Sequence, residues 1–281
     1  MRSHWTASDL PDLHGETWLI TGATRGLGLA TARAASARGA HIILGVRDAA
    51  RGAEVARELG DATVIPLDLS QLSSVRAATE HVPRVDVLIN NAGSTTSVRS
   101  ETPDGFEWHL GVNLLGPFLF TNLIAEQVRR RVVIVTSVTH HRAKFDFDDP
   151  HFTKRPWSQA RAYSQSKLAD LLWAHALQSK ASFDVQTSHP GWSDTTLANP
   201  ARSSFGQGVV SQVARRLANS SEQGALTTLF AATQDLPPVS LVGPSGLGEL
   251  RGYPRLVRAS ESAKNPQLAE RLWAFAEAAT S

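Results

Sequence analysis

The sequence predicts an α/β protein built on a single doubly wound parallel sheet of six to seven strands, with helices on both faces. Three observations carry that expectation. Short β-branched or apolar runs alternate with longer stretches of helical period, the pattern of βαβ units. A glycine-rich turn follows the first of those runs and opens the first helical stretch. No Pro/Gly-rich linker divides the 281 residues, so 1–281 reads as one domain whose first 14 residues are an N-terminal extension.

In order, the expected strands are Thr17–Thr21, His41–Gly45, Thr63–Pro66, Val85–Asn90, Val132–Ser137 and Val185–Ser188, with a seventh at Val239–Val242. Helical period covers Leu27–Arg38, Ala49–Leu59, Leu72–His81, Gly105–Val128 and Ala160–Lys180. Right-handed crossovers between such units generate the doubly wound sheet. Two segments break the alternation: 138–159, polar and aromatic, and 191–220, with Gly, Pro, Ser and Arg in no clear period. Both follow strands, and loops leaving the carboxyl ends of an open α/β sheet lie over its ligand crevice.

Composition excludes several classes. With 42% hydrophobic and 19% charged residues, the chain is neither disordered nor membrane-embedded. The absence of cysteine removes thiol catalysis, Cys-ligated zinc, iron–sulfur clusters and disulfides. Lys and Arg total 28 against 26 Asp and Glu, a net +2 that leaves no nucleic-acid footprint. Arg129-Arg130-Arg131 reads instead as the cationic end of the helix over 105–128. His140, His141, His151, Asp146, Asp148 and Asp149 crowd one segment but match no metal-ligand spacing, so no metal is expected. Met1–Leu10 holds His, Asp and Ser where a signal peptide needs an apolar run, and Leu114–Phe120 falls short of the roughly 20 residues that span a bilayer. The expectation is a soluble cytoplasmic protein. Trp108, Trp173 and Trp273 lie in helical stretches and read as core or interface.

The turn TGATRGLG at 21–28 sits between the first strand and first helix, the context a dinucleotide fingerprint requires. Glycines allow close backbone approach, and the helix N-terminus offers free N–H groups to a pyrophosphate. Its candidate contacts are Gly22, Thr24, Arg25, Gly26, Leu27 and Gly28. An NAD site places an acidic residue about 20 positions further on, at the ribose 2′-hydroxyl. Here Val46 and Arg47 end the second strand; Arg47, with Arg25, suits a 2′-phosphate and favours NADP(H) over NAD(H), while Asp48 keeps an NAD contact open. In Leu67-Asp68-Leu69-Ser70, Asp68 either meets the adenine amine, with Leu69 beside it, or caps the next helix.

Of only two tyrosines, Tyr163 has a lysine, Lys167, four residues on. On a helix the two share a face with Cβ atoms roughly 5–6 Å apart. The ammonium favours the phenolate, so Tyr163 suits proton donation in carbonyl reduction and abstraction in alcohol oxidation.

TGATRGLG at 21–28, LDLS at 67–70, NNAG at 90–93, Asn113, TSV at 136–138, YSQSK at 163–167 and HPG at 189–191 together resemble, in order, the motifs of the short-chain dehydrogenase/reductases. The resemblance covers about residues 15–198, and GPSGLGELRGYP at 243–254 is similar to the tail of their retinol-dehydrogenase-like and protochlorophyllide-reductase-like branch. It implies a Rossmann-type NAD(P) domain and roles for particular residues. Ser137 would bond the substrate oxygen, with Thr136 on the opposite face of the strand. Asn113 would hold a water in a proton relay with Lys167, which would also bind the nicotinamide ribose. Asn90, Ala92 and Gly93 would pack under the cofactor, Asn90 being the nearer contact. Pro190, Gly191 and Thr195 (or Thr196) would meet the nicotinamide amide.

The expected activity is an NADP(H)-dependent interconversion of a carbonyl and an alcohol, with Asn113, Ser137, Tyr163 and Lys167 catalytic. Phe145, Phe147, Trp157, Trp192 and Phe205 point to a small to medium apolar or aromatic substrate. Reduction of an activated C=C bond and non-catalytic dinucleotide sensing are the alternatives. The resemblance also implies a homo-oligomer through the fourth and fifth helices. Segment 138–159, tethered beside Ser137 and Tyr163, is expected to form a substrate wall, with a flap packed on the domain surface as the rival.

Overall fold

The computed structural model describes residues 4–191 and 219–281. Its strands are β1 (Thr17–Thr21), β2 (His41–Val46), β3 (Ala62–Pro66), β4 (Val85–Asn90), β5 (Val128–Val135), β6 (Asp184–Ser188), β7 (Leu241–Pro244) and β8 (Pro254–Val257). They form one sheet in the order β3-β2-β1-β4-β5-β6-β7-β8. All pairs are parallel except β7 with β8. The strand order reverses between β1 and β4, and a ligand crevice opens at the carboxyl ends of such a pair.

The helices are α1 (Gly26–Ser36), α2 (Ala49–Leu59), α3 (Leu72–Thr79), α4 (Trp108–Leu110), α5 (Gly116–Leu123), α6 (Gln159–Lys180), α7 (Ser221–Thr233) and α8 (Pro266–Thr280). Consecutive apolar residues such as Trp18, Leu19 and Ile20 are all fully buried, because helices cover both faces of the parallel sheet. One apolar layer joins Val75 of α3, Phe118 of α5, Leu168 and Trp173 of α6 and Leu272 of α8. The other joins Leu29 of α1, Val55 of α2 and Phe230 of α7, and takes in Trp5, Leu10 and Leu13 of the N-terminal extension. Among the described residues no helix is long and apolar enough to cross a membrane.

Several boundaries differ from those expected. Strand β5 begins at Val128 and ends at Val135, so the three arginines lie in a strand and not at a helix end. Each finds a carboxylate on a neighbouring segment: Arg129 with Asp86 at 3.6 Å, Arg130 with Glu16 at 2.6 Å and Arg131 with Asp184 at 2.6 Å. These cross-strand pairs replace the helix-dipole role assigned to them. The stretch 105–128 is not one regular helix: a π-helical turn, Gly111–Leu115, separates α4 from α5. Pro117 has no N–H to give the carbonyl four residues back, that of Asn113, which loosens the α-helical ladder at that residue. The seventh strand starts two residues later than expected, and β8 returns antiparallel beside it. Pro254–Val257 is too short to announce itself without that partner.

Candidate active site

The glycine turn stands where β1 meets α1. Gly22 has a left-handed φ of +68°, and a Cβ there would lie 2.9 Å from Ala92 Cα; at Gly28 a Cβ would lie 2.5 Å from Asn91 Nδ2. The turn is therefore pressed against the end of β4, leaving its backbone open to a cleft of about 540 Å³. Of the residues singled out as cofactor contacts, Gly22, Thr24, Arg25, Gly26, Leu27, Gly28, Arg47, Asp68, Leu69, Ala92 and Gly93 line this cleft. Arg25 and Arg47 are exposed at it, and neither forms an ion pair with a described residue. Asp48 is committed as the cap of α2, its Oδ1 accepting from Arg51 N at 2.9 Å. Asp68 holds its own turn, accepting from Ser70 N at 2.9 Å and Ser70 Oγ at 2.7 Å. The donor set thus fits a dinucleotide: a helix N-terminus for its pyrophosphate and two unpaired guanidinium groups for further phosphate charge.

Asn90 does not reach the cleft. Its side chain is buried and donates to Thr121 Oγ1 at 2.9 Å, because strand pleating turns it to the other side. Its neighbour Asn91 lines the cleft and takes the structural role, with Nδ2 donating to Thr21 O at 2.9 Å. Trp108, read from sequence as core or interface, also lines the cleft, its indole N–H donating to Ser94 Oγ at 3.0 Å. No sequence signal separated it from the other tryptophans.

The catalytic candidates converge where β5 and α6 meet. Ser137 lies two residues beyond the end of β5 and caps a 3₁₀ turn over Val138–Arg142, its Oγ accepting from Thr139 N at 3.4 Å. Thr136 faces α6 and donates from Oγ1 to Lys167 O at 2.7 Å. Lys167 is buried; its Nζ donates to Val135 O at 3.1 Å and to Asp170 Oδ2 at 2.8 Å. Two of its three donors are thus used, which fixes the ammonium 5.9 Å from the ring centroid of the half-buried Tyr163.

Asn113 does not bond Lys167. Its Nδ2 donates to Ser94 O at 3.1 Å and Ser166 Oγ at 3.0 Å, while Oδ1 accepts from Ser94 N at 2.8 Å. Ser166 in turn donates to Tyr163 O at 2.8 Å. The Asn113 side chain therefore ties the segment after β4 to the helix carrying Tyr163, with both its N–H donors used in doing so. Sequence reasoning missed Ser94, Ser166 and Asp170, although Asp170, three residues past Lys167, lies on the same helical face.

A buried pair, Glu107 and His109, completes the surroundings of Tyr163. Glu107 Oε1 accepts from His109 Nδ1 at 2.7 Å and from Trp157 Nε1 at 3.1 Å. Burial by itself would raise the Glu107 carboxyl, but the hydrogen bonds from His109, Leu110 N and Trp157 hold it below its ordinary range. On its other side the His109 ring meets Thr96 N, which donates to Nε2 at 3.3 Å, and Thr95 Oγ1, 3.0 Å from the same nitrogen. The His109 ring stands edge-on to Tyr163, centroids 6.1 Å apart.

Segment 138–159 divides in two. Phe145 and Phe147 pack on each other at 4.7 Å, Phe145 on Phe275 of α8 at 5.8 Å, and Phe152 is buried beneath Arg155. Phe145 and Phe147 thus pack on α8, through Phe275 and Arg271, where the sequence suggested a substrate wall. Trp157 instead stands beside the His109 ring that faces Tyr163, centroids 6.1 Å apart. His140 and His141 pair with ring centroids 4.0 Å apart, His140 Nε2 accepting from Ser260 N, while His151 lies apart, its Nδ1 accepting from Glu107 N. Beyond β6, Pro190 O accepts from Asn219 Nδ2 at 2.9 Å and Gly191 N donates to His189 Nδ1 at 3.2 Å. Trp192, Thr195, Thr196 and Phe205 lie outside the described residues.

A family model for short chain dehydrogenases matches residues 16–204. Retinol dehydrogenase 12 of Mus musculus is 35% identical over 277 residues, covering 92% of this chain and 84% of the relative. Polyprenol dehydrogenase of Mus musculus is 36% identical over 302 residues, covering 98% and 86%. Among solved structures, an uncharacterized protein from Mycobacterium Paratuberculosis is 40% identical with a TM-score of 0.86, covering 99% of this chain and 97% of that one. A short chain dehydrogenase from Burkholderia cenocepacia J2315 in complex with NADP is 25% identical with a TM-score of 0.62, covering 79% and 92%.

Proposed function

The chain belongs to the short-chain dehydrogenase family, and we propose that within it this protein is an NADP(H)-dependent oxidoreductase interconverting an apolar aldehyde or ketone and its alcohol. The observation that carries the reading is the buried Lys167 ammonium, held by Val135 O and placed over the Tyr163 ring at the carboxyl edge of the sheet. A bound nicotinamide supplies or accepts the hydride; the protein supplies position and electrostatics. The glycine turn would hold the pyrophosphate. Arg25 and Arg47 would take a 2′-phosphate, since Asp48 is occupied as a helix cap. Tyr163 gives its phenolic proton to the carbonyl oxygen in reduction and regains it in oxidation. Lys167 stabilises the phenolate left behind, and Ser137 orients the reacting oxygen. Asn113, through Ser94 and Ser166, keeps Tyr163 in register with the cleft. The retinol and polyprenol relatives support an extended apolar substrate and make retinoid and polyprenoid alcohols the first to test.

The experiment is cofactor turnover by the purified protein with retinal, a polyprenal, simple ketones and enones. Tyr163→Phe removes the proton donor and hardly alters shape, so NADPH should still bind while turnover falls roughly 10²-fold or more. Near wild-type turnover in that variant would refute the mechanism. Turnover confined to enones would move the reading to C=C reduction.

A further inference from the structure

Lys167 shares its helix face with a second buried charge. Asp170 is 1% exposed, its Oδ2 accepts from Lys167 Nζ at 2.8 Å, and its Oδ1 has no described hydrogen-bond partner. Burial pushes the Asp170 carboxyl up to about 6, and the Lys167 ammonium 2.8 Å away pulls it back toward the carboxylate. Asp170 is the carboxylate in contact with Lys167, at 2.8 Å, and the Tyr163 ring centroid lies 5.9 Å from the same ammonium. His109 faces the Tyr163 ring from α4 and is paired with Glu107. A carboxylate costs much to bury, and Val135 O already anchors the ammonium, so holding Lys167 in place does not require a second charge. What the carboxylate adds is electrostatic: it offsets the positive potential at Tyr163.

We propose that Asp170 is a positioning residue of the reaction, acting through Lys167: its carboxylate offsets part of the ammonium's charge, so that Tyr163 keeps the phenolic proton that starts carbonyl reduction. The proposal rests on the oxidoreductase reading above. In reduction the Tyr163 Oη–H bond breaks and its proton bonds the carbonyl oxygen, while a hydride from reduced nicotinamide bonds the carbonyl carbon. Phenolate, alcohol and oxidised nicotinamide result. Oxidation runs the reverse and must start from phenolate, which Asp170 disfavours.

The two tyrosines, Tyr163 and Tyr253, allow a direct test. In cofactor-free protein carrying ¹³Cζ-tyrosine, Asp170→Asn should move the Tyr163 NMR transition about one unit toward lower pH and leave Tyr253 unmoved. In turnover, the rise of alcohol oxidation with pH and the fall of carbonyl reduction should both move by that amount in that direction. The alcohol KM should stay within about threefold of wild type. Asp170→Ala, also neutral, should give the same displacement if the Asn variant misfolds. A Tyr163 transition at the wild-type pH in a folded neutral variant overturns the role, however large the loss of Tm or kcat. If the wild type turns over no carbonyl or alcohol, the functional reading fails instead, and the NMR titration still decides for Asp170.

Discussion

Asn91 and Thr21 lock the ends of the two strands between which the sheet order reverses. Asn91 Nδ2 donates to Thr21 O at 2.9 Å, and the backbone amides of Asn91 and Ala92 both donate to Thr21 Oγ1, at 3.1 and 3.0 Å. The glycine turn starts from this lock. Asn91→Ala leaves the Thr21 carbonyl short of a donor, at about 0.5–1.5 kcal/mol for the bond lost. NADPH and NADH affinity should then fall together, by about two- to tenfold, in a calorimetric titration. Unchanged affinity for both would mean that the turn holds its shape without the lock.

Arg47 should discriminate where Asn91 does not. A guanidinium grip on a 2′-phosphate lost from an exposed site should cost about 1.5–3 kcal/mol, ten- to a hundredfold in Kd. Arg47→Ala should weaken NADPH binding by that factor and leave NADH nearly unchanged. Equal losses for the two cofactors would sink the assignment.

Segment 138–159 predicts two different phenotypes from two of its aromatics. Phe147, half-buried between Phe145 and Arg271, belongs to the packing of α8. Phe147→Ala should cost about 1–2 kcal/mol of stability and leave the ranking of substrates intact. Trp157→Phe removes the N–H bonded to Glu107 beside Tyr163. It should change kcat/KM for bulky relative to small substrates by about threefold or more, with NADPH affinity kept. A ranking that survives Trp157→Phe in a folded protein would move specificity to residues 191–220.

His140 makes stability fall in mild acid. It is fully buried, and its Nε2 accepts from Ser260 N, so the ring is neutral and Nδ1–H donates to Ser137 O at 2.7 Å. Burial lowers its ionisation from the ordinary 6.5 to about 4. Between those values the unfolded chain binds a proton that the folded chain does not. Stability is therefore full above about pH 6.5 and is lost as pH falls toward about 4, with about 2 kcal/mol gone at pH 5. Urea unfolding at pH 7.5 and pH 5 should show that His140→Gln loses less than the wild type across the interval. Equal losses in the two proteins would rule His140 out as the acid-sensitive group.

Much of the architecture and of the candidate site was legible in local sequence. The glycine turn after a strand and the four-residue step from Tyr163 to Lys167 are relations within a few residues. Neighbouring backbone geometry decides them, so pattern alone suffices. Alternating apolar runs located β1 and β4 to the residue, because burial on both faces requires continuous hydrophobicity there. Tertiary structure decided whatever depends on a distant partner. The arginines of β5 read as a helix end until Asp86, Glu16 and Asp184 stand across from them. Asn90 and Asn91 are equivalent as letters, and only the pleat of β4 sends one to Thr121 and the other to Thr21. The aromatics of 138–159 looked like a substrate wall because hydrophobicity records that a side chain is to be buried and not against what; α8, more than a hundred residues further along the chain, answers that for Phe145. Asp170 carried no signal in the sequence, and its charge matters because α6 packs that face against β5, where low polarity and a 2.8 Å contact place it beside Lys167.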